Sequence, residues 1–132
     1  MTASLKVVAA ILCRDGKVLV AKRPEHKHQG GKWEFPGGKV EPYEENLAAL
    51  KRECLEEIGI HIQKANLFHS VSFNYPDQSV AIDFYLIDEF SGTASGLEEQ
   101  EVKWVDLSSL NDLTFPAANQ PVVDMLLAKQ PI

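Results

Sequence analysis

The sequence has few cysteines, no long hydrophobic run and no excess of basic residues. Its 132 residues include only two cysteines, Cys13 and Cys54, and both lie within apolar patterns. Buried free thiols suit a reducing compartment, so we expect a cytoplasmic protein without disulfides. No apolar run reaches the length of a membrane-spanning helix, and we expect no membrane partner. His26 and His28 have no further histidine or cysteine at zinc-site spacing, so no zinc site is expected.

The charge balance is acidic, with 13 Lys and Arg against 19 Asp and Glu and a net charge of −6. This argues against a protein that binds long nucleic acid through a basic face. A small phosphate ligand stays compatible with this charge, provided that a cation mediates its binding. Hydrophobic residues make up 45% and charged residues 24%, which is ordinary globular composition. We expect residues 1–132 to form a single domain that is a monomer or a weak dimer.

Hydrophobic patterning predicts six strands and two helices. The strands are expected at 5–12, 17–22, 33–35, 67–74, 79–87 and 102–105, and the helices at 44–59 and 119–129. A Pro-Gly-Gly sequence at 36–38 should stop the third strand, and 75–78 should form a turn. Because strands and helices do not alternate regularly, we expect an α/β fold with helices packed on a mixed sheet.

The first predicted helix carries two stripes of side chains. The apolar stripe consists of Leu47, Leu50, Cys54 and Ile58. The acidic stripe beside it consists of Glu53, Glu56 and Glu57. Two carboxylates about 4 Å apart repel by roughly 4 kcal/mol at an effective dielectric of about 20. The stripe is compatible with a solvated helix face or with a site for Mg²⁺ or Mn²⁺, which prefer oxygen ligands.

The wider segment from Gly38 to Ile60, GKVEPYEENLAALKRECLEEIGI, resembles the Nudix box. The fixed identities of that box are occupied by Gly38, Glu44, Arg52, Glu53, Glu56, Glu57 and Gly59. A chance match is on the order of 10⁻⁸ per window at average residue usage. The one departure is Cys54 at an apolar position, where a buried cysteine serves as a small hydrophobe. The resemblance implies the Nudix fold, an α/β/α sandwich with a central mixed β-sheet.

Three further stretches resemble the MutT type of Nudix hydrolase, whose members hydrolyse oxidised guanine nucleoside triphosphates. They are WEFPGGKVE at 33–41, YPDQ at 75–78 and FPAANQPV at 115–122. The resemblance implies a nucleoside triphosphate substrate, cleaved to nucleoside monophosphate and pyrophosphate, with 8-oxo-dGTP as the expected nucleotide. The alternatives are a cytidine-directed or broad-specificity pyrophosphohydrolase, and a non-catalytic module that recognises a damaged base.

The resemblance also implies a metal site for Mg²⁺, or else Mn²⁺. Its implied ligands are Glu53, Glu56, Glu57, Glu98 and the backbone carbonyl of Gly37. Glu99 and Glu101 are neighbours that could be mistaken for Glu98, and either Glu53 or Glu98 would act as general base. Arg52 is expected to orient Glu53, or else to be a surface arginine. Lys39 either contacts phosphate or is solvated, and Glu44 is expected to anchor the helix start or a loop.

The implied base pocket consists of Arg23, Phe35, Asp77, Gln78 and Asn119. In MutT-type enzymes an asparagine at the place of Asn119 hydrogen-bonds the oxidised base. Asn119 has a structural alternative as a helix N-cap, because Pro121 follows it two residues later. Gln78 departs from the arginine expected in the family, and this difference bears on nucleotide choice.

Overall fold

A computed structural model describes residues 5–27 and 29–128. The strands are β1 Leu5–Arg14, β2 Lys17–Lys22, β3 Trp33–Glu34, β4 Gly37–Lys39, β5 His61–Asn74, β6 Ser79–Ser91 and β7 Val102–Asp106. The helices are α1 Asn46–Ile58 and α2 Gln120–Ala128, with short 3₁₀ helices at Leu107–Asp112 and Ala117–Asn119. His28, and Lys129 at the expected end of α2, lie outside the described residues. No helix in the described ranges is long and apolar enough to cross a membrane.

Strand β1 lies at the centre of the sheet, whose order is β3-β2-β1-β6-β5. It runs parallel to β6 along most of its length and antiparallel to β2 at its carboxyl end. Strand β4 pairs antiparallel with β1 at Val7–Ala9, and β7 pairs antiparallel with β2. The predicted mixed sheet is therefore confirmed.

The two faces of this sheet are covered by different helices. Val8, Ala10 and Leu12 of β1 pack in a core with α1. Ala9 and Ile11 pack in a second core with α2 and both 3₁₀ helices. Successive side chains of a strand point to opposite faces, so the apolar run of β1 supplies both cores. This arrangement confirms the expected α/β/α sandwich.

Helix α1 presents a wider buried face than the sequence suggested. Its buried residues are Ala49, Leu50, Cys54 and Ile58, whereas Leu47 is 45% exposed. The expectation that Leu47 joins the buried apolar stripe is wrong, because Leu47 lies exposed in the first turn of α1. Ala49, which was not predicted, is buried. At about 100° per residue, Glu53 and Glu57 fall between Ala49 and Leu50 on the helix. The side chains of Glu53 and Glu57 therefore leave the helix within its buried face.

Several element boundaries differ from the sequence-based expectation. The third strand ends at Glu34, before the Pro-Gly-Gly sequence, as predicted, but residues 37–39 form a further strand, β4, that was not predicted. A Cβ on Gly37 would lie 2.0 Å from the carbonyl oxygen of Val8, so glycine permits the close backbone approach of β4 to β1. Strand β5 begins at His61, six residues early, and its register with β6 is irregular over that part. Helix α1 begins at Asn46, so Glu44 lies in the preceding loop.

Candidate active site

A cleft of about 620 Å³ crosses the molecule beside β4 and the acidic side of α1. The predicted site residues that line it are Arg23, Phe35, Gly37, Lys39, Glu53, Glu56, Glu57, Gln78, Glu98 and Asn119. Two predicted site residues do not line it. Asp77 is exposed on the β5–β6 turn, and Arg52 lies behind the glutamates.

Glu57 is a largely buried carboxylate of the cleft. Its Oε2 atom is buried and has no hydrogen-bond partner in the described structure. Burial, together with the negative charges of Glu34, Glu53 and Glu98, raises the pKa of Glu57 to about 9. Burial also raises the pKa of Glu53, although the Arg52 guanidinium opposes this. The site therefore holds more negative charge than its own residues neutralise.

Arg52 organises these carboxylates from outside the cleft. Its Nη1 atom donates to Glu53 Oε1 at 2.9 Å and to Glu56 Oε1 at 3.2 Å. Its Nε and Nη2 atoms donate to the two carboxylate oxygens of Glu44 at 2.7 and 2.8 Å. The Nη2 atom also donates to the carbonyl oxygen of Lys39 at 3.2 Å. The expected contact with Glu53 is present, and Arg52 also ties α1 to the loop that precedes it.

Glu44 anchors that loop, as the sequence suggested. Besides the two bonds from Arg52, it accepts a hydrogen bond from the backbone N–H of Glu41 at 3.0 Å. These donors lower the pKa of Glu44 to about 2. The Glu44–Arg52 ion pair was not predicted, because the two residues lie on different elements.

Glu98 reaches the cleft from the loop between β6 and β7. Of the three neighbouring glutamates, Glu98 lines the cleft and Glu99 and Glu101 do not. The side chain of Gln100 accepts from the backbone N–H of Glu98 at 2.9 Å and donates to the carbonyl oxygen of Glu57 at 3.0 Å. Gln100 thereby fastens the Glu98 loop to the carboxyl end of α1, a role that the sequence did not reveal.

The other end of the cleft carries neutral polar side chains. Asn119 is 7% exposed and is the last residue of the 3₁₀ helix before α2. It directly precedes Gln120, the first residue of α2, and so occupies the position of an N-cap. The hydroxyl of Tyr75 accepts a hydrogen bond from the backbone N–H of Ala118 at 2.8 Å. Gln78, on the β5–β6 turn, lines the same end.

Comparison with known proteins agrees with this geometry. The NUDIX domain family model matches residues 7–125. The chain belongs to the Nudix family. It is 35% identical over 119 residues to an 8-oxo-dGTP diphosphatase of Escherichia coli, covering 90% of this chain and 92% of that one.

Two further relatives refine the placement of this Nudix protein. A CTP pyrophosphohydrolase of Escherichia coli is 35% identical over 124 residues, covering 94% of this chain and 92% of that protein. A solved MutT structure, from work on Aliivibrio salmonicida and Vibrio cholerae, superimposes with a TM-score of 0.83 at 38% identity. It covers 96% of this chain and 99% of the other. The protein is a Nudix hydrolase of the MutT type.

The donor set of this Nudix site suits a hard divalent cation, because it consists of carboxylate oxygens and one of them is an orphaned buried atom. Within the described ranges, no three acidic, histidine or cysteine side chains are arranged to hold a metal ion. Glu53 and Glu56 each direct one carboxylate oxygen toward Arg52. A Cβ on Gly38 would lie 2.4 Å from the Glu53 carboxyl group, so only glycine leaves room for that side chain.

Phe35 and Glu34 complete the floor of the cleft. The Phe35 ring is 2% exposed and packs on Phe115 and Phe84, with ring centroids 5.4 and 6.0 Å away. It therefore supports the pocket and offers a ligand little side-chain surface. Arg23 forms an ion pair with Glu34 at 2.6 Å, and burial still raises the pKa of Glu34. Glu34 was missed, since a lone glutamate in a short strand has no periodic signal.

Proposed function

We propose that this Nudix hydrolase cleaves a nucleoside triphosphate into the monophosphate and pyrophosphate, with 8-oxo-dGTP as its preferred substrate. The observation that carries this proposal is the single cleft of about 620 Å³ that joins two kinds of site. One end contains the carboxylates of Glu53, Glu56, Glu57 and Glu98. These would bind divalent cations, which in turn would bind the phosphate groups of the substrate. The other end presents the buried amide of Asn119, which suits recognition of a base edge.

At the acidic end, Glu53, Glu56, Glu57, Glu98 and the Gly37 carbonyl would hold Mg²⁺, or else Mn²⁺. When bound, the cation neutralises charge on the triphosphate and lowers the pKa of the attacking water. The unpartnered Oε2 of Glu57 and the raised pKa of that residue support a missing cationic partner.

Proton transfer at the acidic end is assigned to Glu53. Arg52 donates a hydrogen bond to one carboxylate oxygen of Glu53, which lines the cleft, so Glu53 would accept the proton of the attacking water. Glu98 is the alternative base, because its loop is held against α1 by Gln100. Lys39 is exposed at the rim of the same end, where its ammonium group would contact phosphate oxygens.

At the neutral end, Asn119 would select the base. A carboxamide has both donors and acceptors, which matches an oxidised guanine edge that presents an N–H beside a carbonyl oxygen. Because Asn119 is buried, a base that lacks one of these partners would leave the amide unpaired. Gln78 lines the same end, and Arg23, which pairs with Glu34, lines the cleft as well. Both would complete the pocket, whereas exposed Asp77 would act only through the turn.

The second candidate is a cytidine-directed or broad-specificity pyrophosphohydrolase, supported by the relative that hydrolyses CTP at the same 35% identity. A non-catalytic damaged-base module is disfavoured, because every fixed position of the Nudix box is present. The expected location is the cytoplasm. Its reducing conditions suit the free thiols of Cys13 and Cys54, and it contains the nucleotide pool.

The test is a nucleotide panel of 8-oxo-dGTP, dGTP, CTP and dCTP, assayed with and without Mg²⁺. We expect kcat/KM for 8-oxo-dGTP to exceed that for dGTP by well over tenfold, with monophosphate and pyrophosphate as products. A preference for CTP would transfer the proposal to the second candidate. Equal rates without divalent metal would overturn the metal assignment.

A further inference from the structure

Tyr75 connects the two chain segments that form the neutral end of the cleft. Its backbone N–H donates to the carbonyl oxygen of Gln78 at 2.8 Å, and the N–H of Gln78 donates back at 3.3 Å. These bonds close the β5–β6 turn. Its side-chain hydroxyl reaches the other segment and accepts from the backbone N–H of Ala118 at 2.8 Å. One residue therefore holds the turn of Gln78 to the 3₁₀ helix of Asn119.

The contact with Ala118 lies where the 3₁₀ helix cannot satisfy its own backbone. That helix comprises only Ala117–Asn119, and its internal bond runs from the N–H of Asn119 to the carbonyl oxygen of Pro116 at 2.9 Å. The first N–H groups of a helix have no partner inside it. Ala118 is 1% exposed, so water has little access to its N–H group. Loss of the hydroxyl would leave a buried donor unpaired.

The ring of Tyr75 is itself held in place. Its centroid lies 4.7 Å from that of Phe73, and the side chain lines the cleft. Phe73 belongs to the packed face of the sheet beside the second core. The hydroxyl thus extends from a supported ring to a short helix that has little hydrogen bonding of its own.

We propose that the Tyr75 hydroxyl is a positioning group for Asn119 and thereby sets the base selectivity of the enzyme. The inference rests on the proposed function insofar as Asn119 contacts the base. Asn119 directly follows Ala118, so a shift of the Ala118 backbone moves the Asn119 amide with it. Hydrogen bonds weaken steeply with distance and angle, and a small displacement reduces recognition without touching the reacting phosphates.

The test is Tyr75→Phe, which removes the hydroxyl and keeps the ring. We expect KM for 8-oxo-dGTP to rise about fivefold to tenfold with kcat changed less than twofold, equivalent to roughly 1 kcal/mol of binding. KM for dGTP should change less, so the preference falls. The matched control is Tyr85→Phe. In the wild type, the Tyr85 hydroxyl accepts a hydrogen bond from the Asn46 side chain at 3.2 Å, and Tyr85 does not line the cleft. Equal effects of the two variants would overturn the proposal.

A double-mutant cycle with Asn119→Ala separates positioning from general support. If Tyr75 acts through Asn119, Tyr75→Phe should leave KM unchanged in the Asn119→Ala background. Additive losses would overturn the inference. Should the panel show another preferred nucleotide, the proposed substrate fails, and the same cycle with that nucleotide still decides whether Tyr75 acts through Asn119.

Hydrogen exchange gives a readout that does not depend on activity. The amide of Ala118 in the wild-type protein should exchange slowly, because its acceptor is the Tyr75 hydroxyl in a buried position. In Tyr75→Phe the same amide should exchange faster and the Asn119 side-chain amide resonance should move. Fast exchange in the wild type, or an unmoved Asn119 resonance in the variant, would overturn the proposal.

Discussion

The two ends of the cleft are built in opposite ways. The acidic end takes three of its four proposed carboxylate ligands, Glu53, Glu56 and Glu57, from little more than one turn of α1, and the fourth, Glu98, from the loop between β6 and β7. The neutral end joins Gln78, on the β5–β6 turn, to Asn119, which precedes α2. The acidic end is therefore local in sequence, whereas the neutral end exists only after the chain has folded.

The two ends also differ in electrostatics. Burial, together with the neighbouring carboxylates, raises the pKa of Glu57 to about 9, so ionisation of this side chain is unfavourable in the metal-free protein. The neutral end holds an uncharged amide and depends on the geometry of hydrogen bonds. Changes at the acidic end should alter turnover and stability, and changes at the neutral end should alter selectivity.

The largest effect is expected for Glu53→Gln. The substitution keeps the shape of the side chain and removes the carboxylate that is proposed to accept a proton, so kcat should fall by about 10³-fold. Nucleotide binding, measured by calorimetry with a non-hydrolysable analogue, should persist. The control is Glu99→Gln, at an exposed residue that does not line the cleft. Unchanged turnover in Glu53→Gln would contradict the assignment of the acidic end.

The next effect concerns the stability of the metal-free enzyme. The pKa of Glu57 is raised in the folded state, so its stabilising contribution is complete below about pH 4.5 and is lost as pH rises toward 9. The free energy of unfolding should therefore fall between pH 5.5 and pH 8. Glu57→Gln removes this dependence and should stabilise the metal-free protein at pH 8 by on the order of 2 kcal/mol.

Chemical denaturation in a chelator at both pH values would measure this difference. The control is Glu56→Gln, because Glu56 is exposed and its side chain pairs with Arg52. Mg²⁺ should stabilise the wild type more than Glu57→Gln, since ligand binding to the folded state alone adds stability. If Glu57→Gln raised the free energy of unfolding equally at both pH values, the ionisation of buried Glu57 would not be the cause of the pH dependence.

A smaller effect is expected at the neutral end, for Asn119→Ala. Removing the buried amide that is proposed to pair with the base should reduce the preference for 8-oxo-dGTP over dGTP by about tenfold to thirtyfold, mainly through KM. The kcat for 8-oxo-dGTP should stay within a fewfold of the wild type. A fall in kcat as large as that of Glu53→Gln would show that the two ends are not separable.

The contrast between the ends explains what could be predicted from sequence. Periodicity located α1 and its carboxylates, because helix geometry is fixed by local spacing. It did not predict β4, where Gly37 permits a close approach to the backbone of β1. The Glu44–Arg52 pair and the Tyr75–Ala118 bond join elements that are distant or irregular, and no local pattern encodes them. The resemblance to a family supplied Asn119 as a base-binding residue, whereas residue patterns alone favoured a helix cap.

The smallest effect, and the sharpest test of separability, concerns Gln100→Leu. This substitution removes both hydrogen bonds that hold the Glu98 loop to α1 and keeps a side chain of similar size. Glu98 should then be positioned less well, so kcat should fall by about fivefold while the nucleotide preference stays unchanged. The control is Gln63→Leu. In the wild type, the Gln63 side-chain amide donates a hydrogen bond to the exposed Ser91 hydroxyl at 3.1 Å. If the preference falls together with kcat, the acidic end also contributes to base selection.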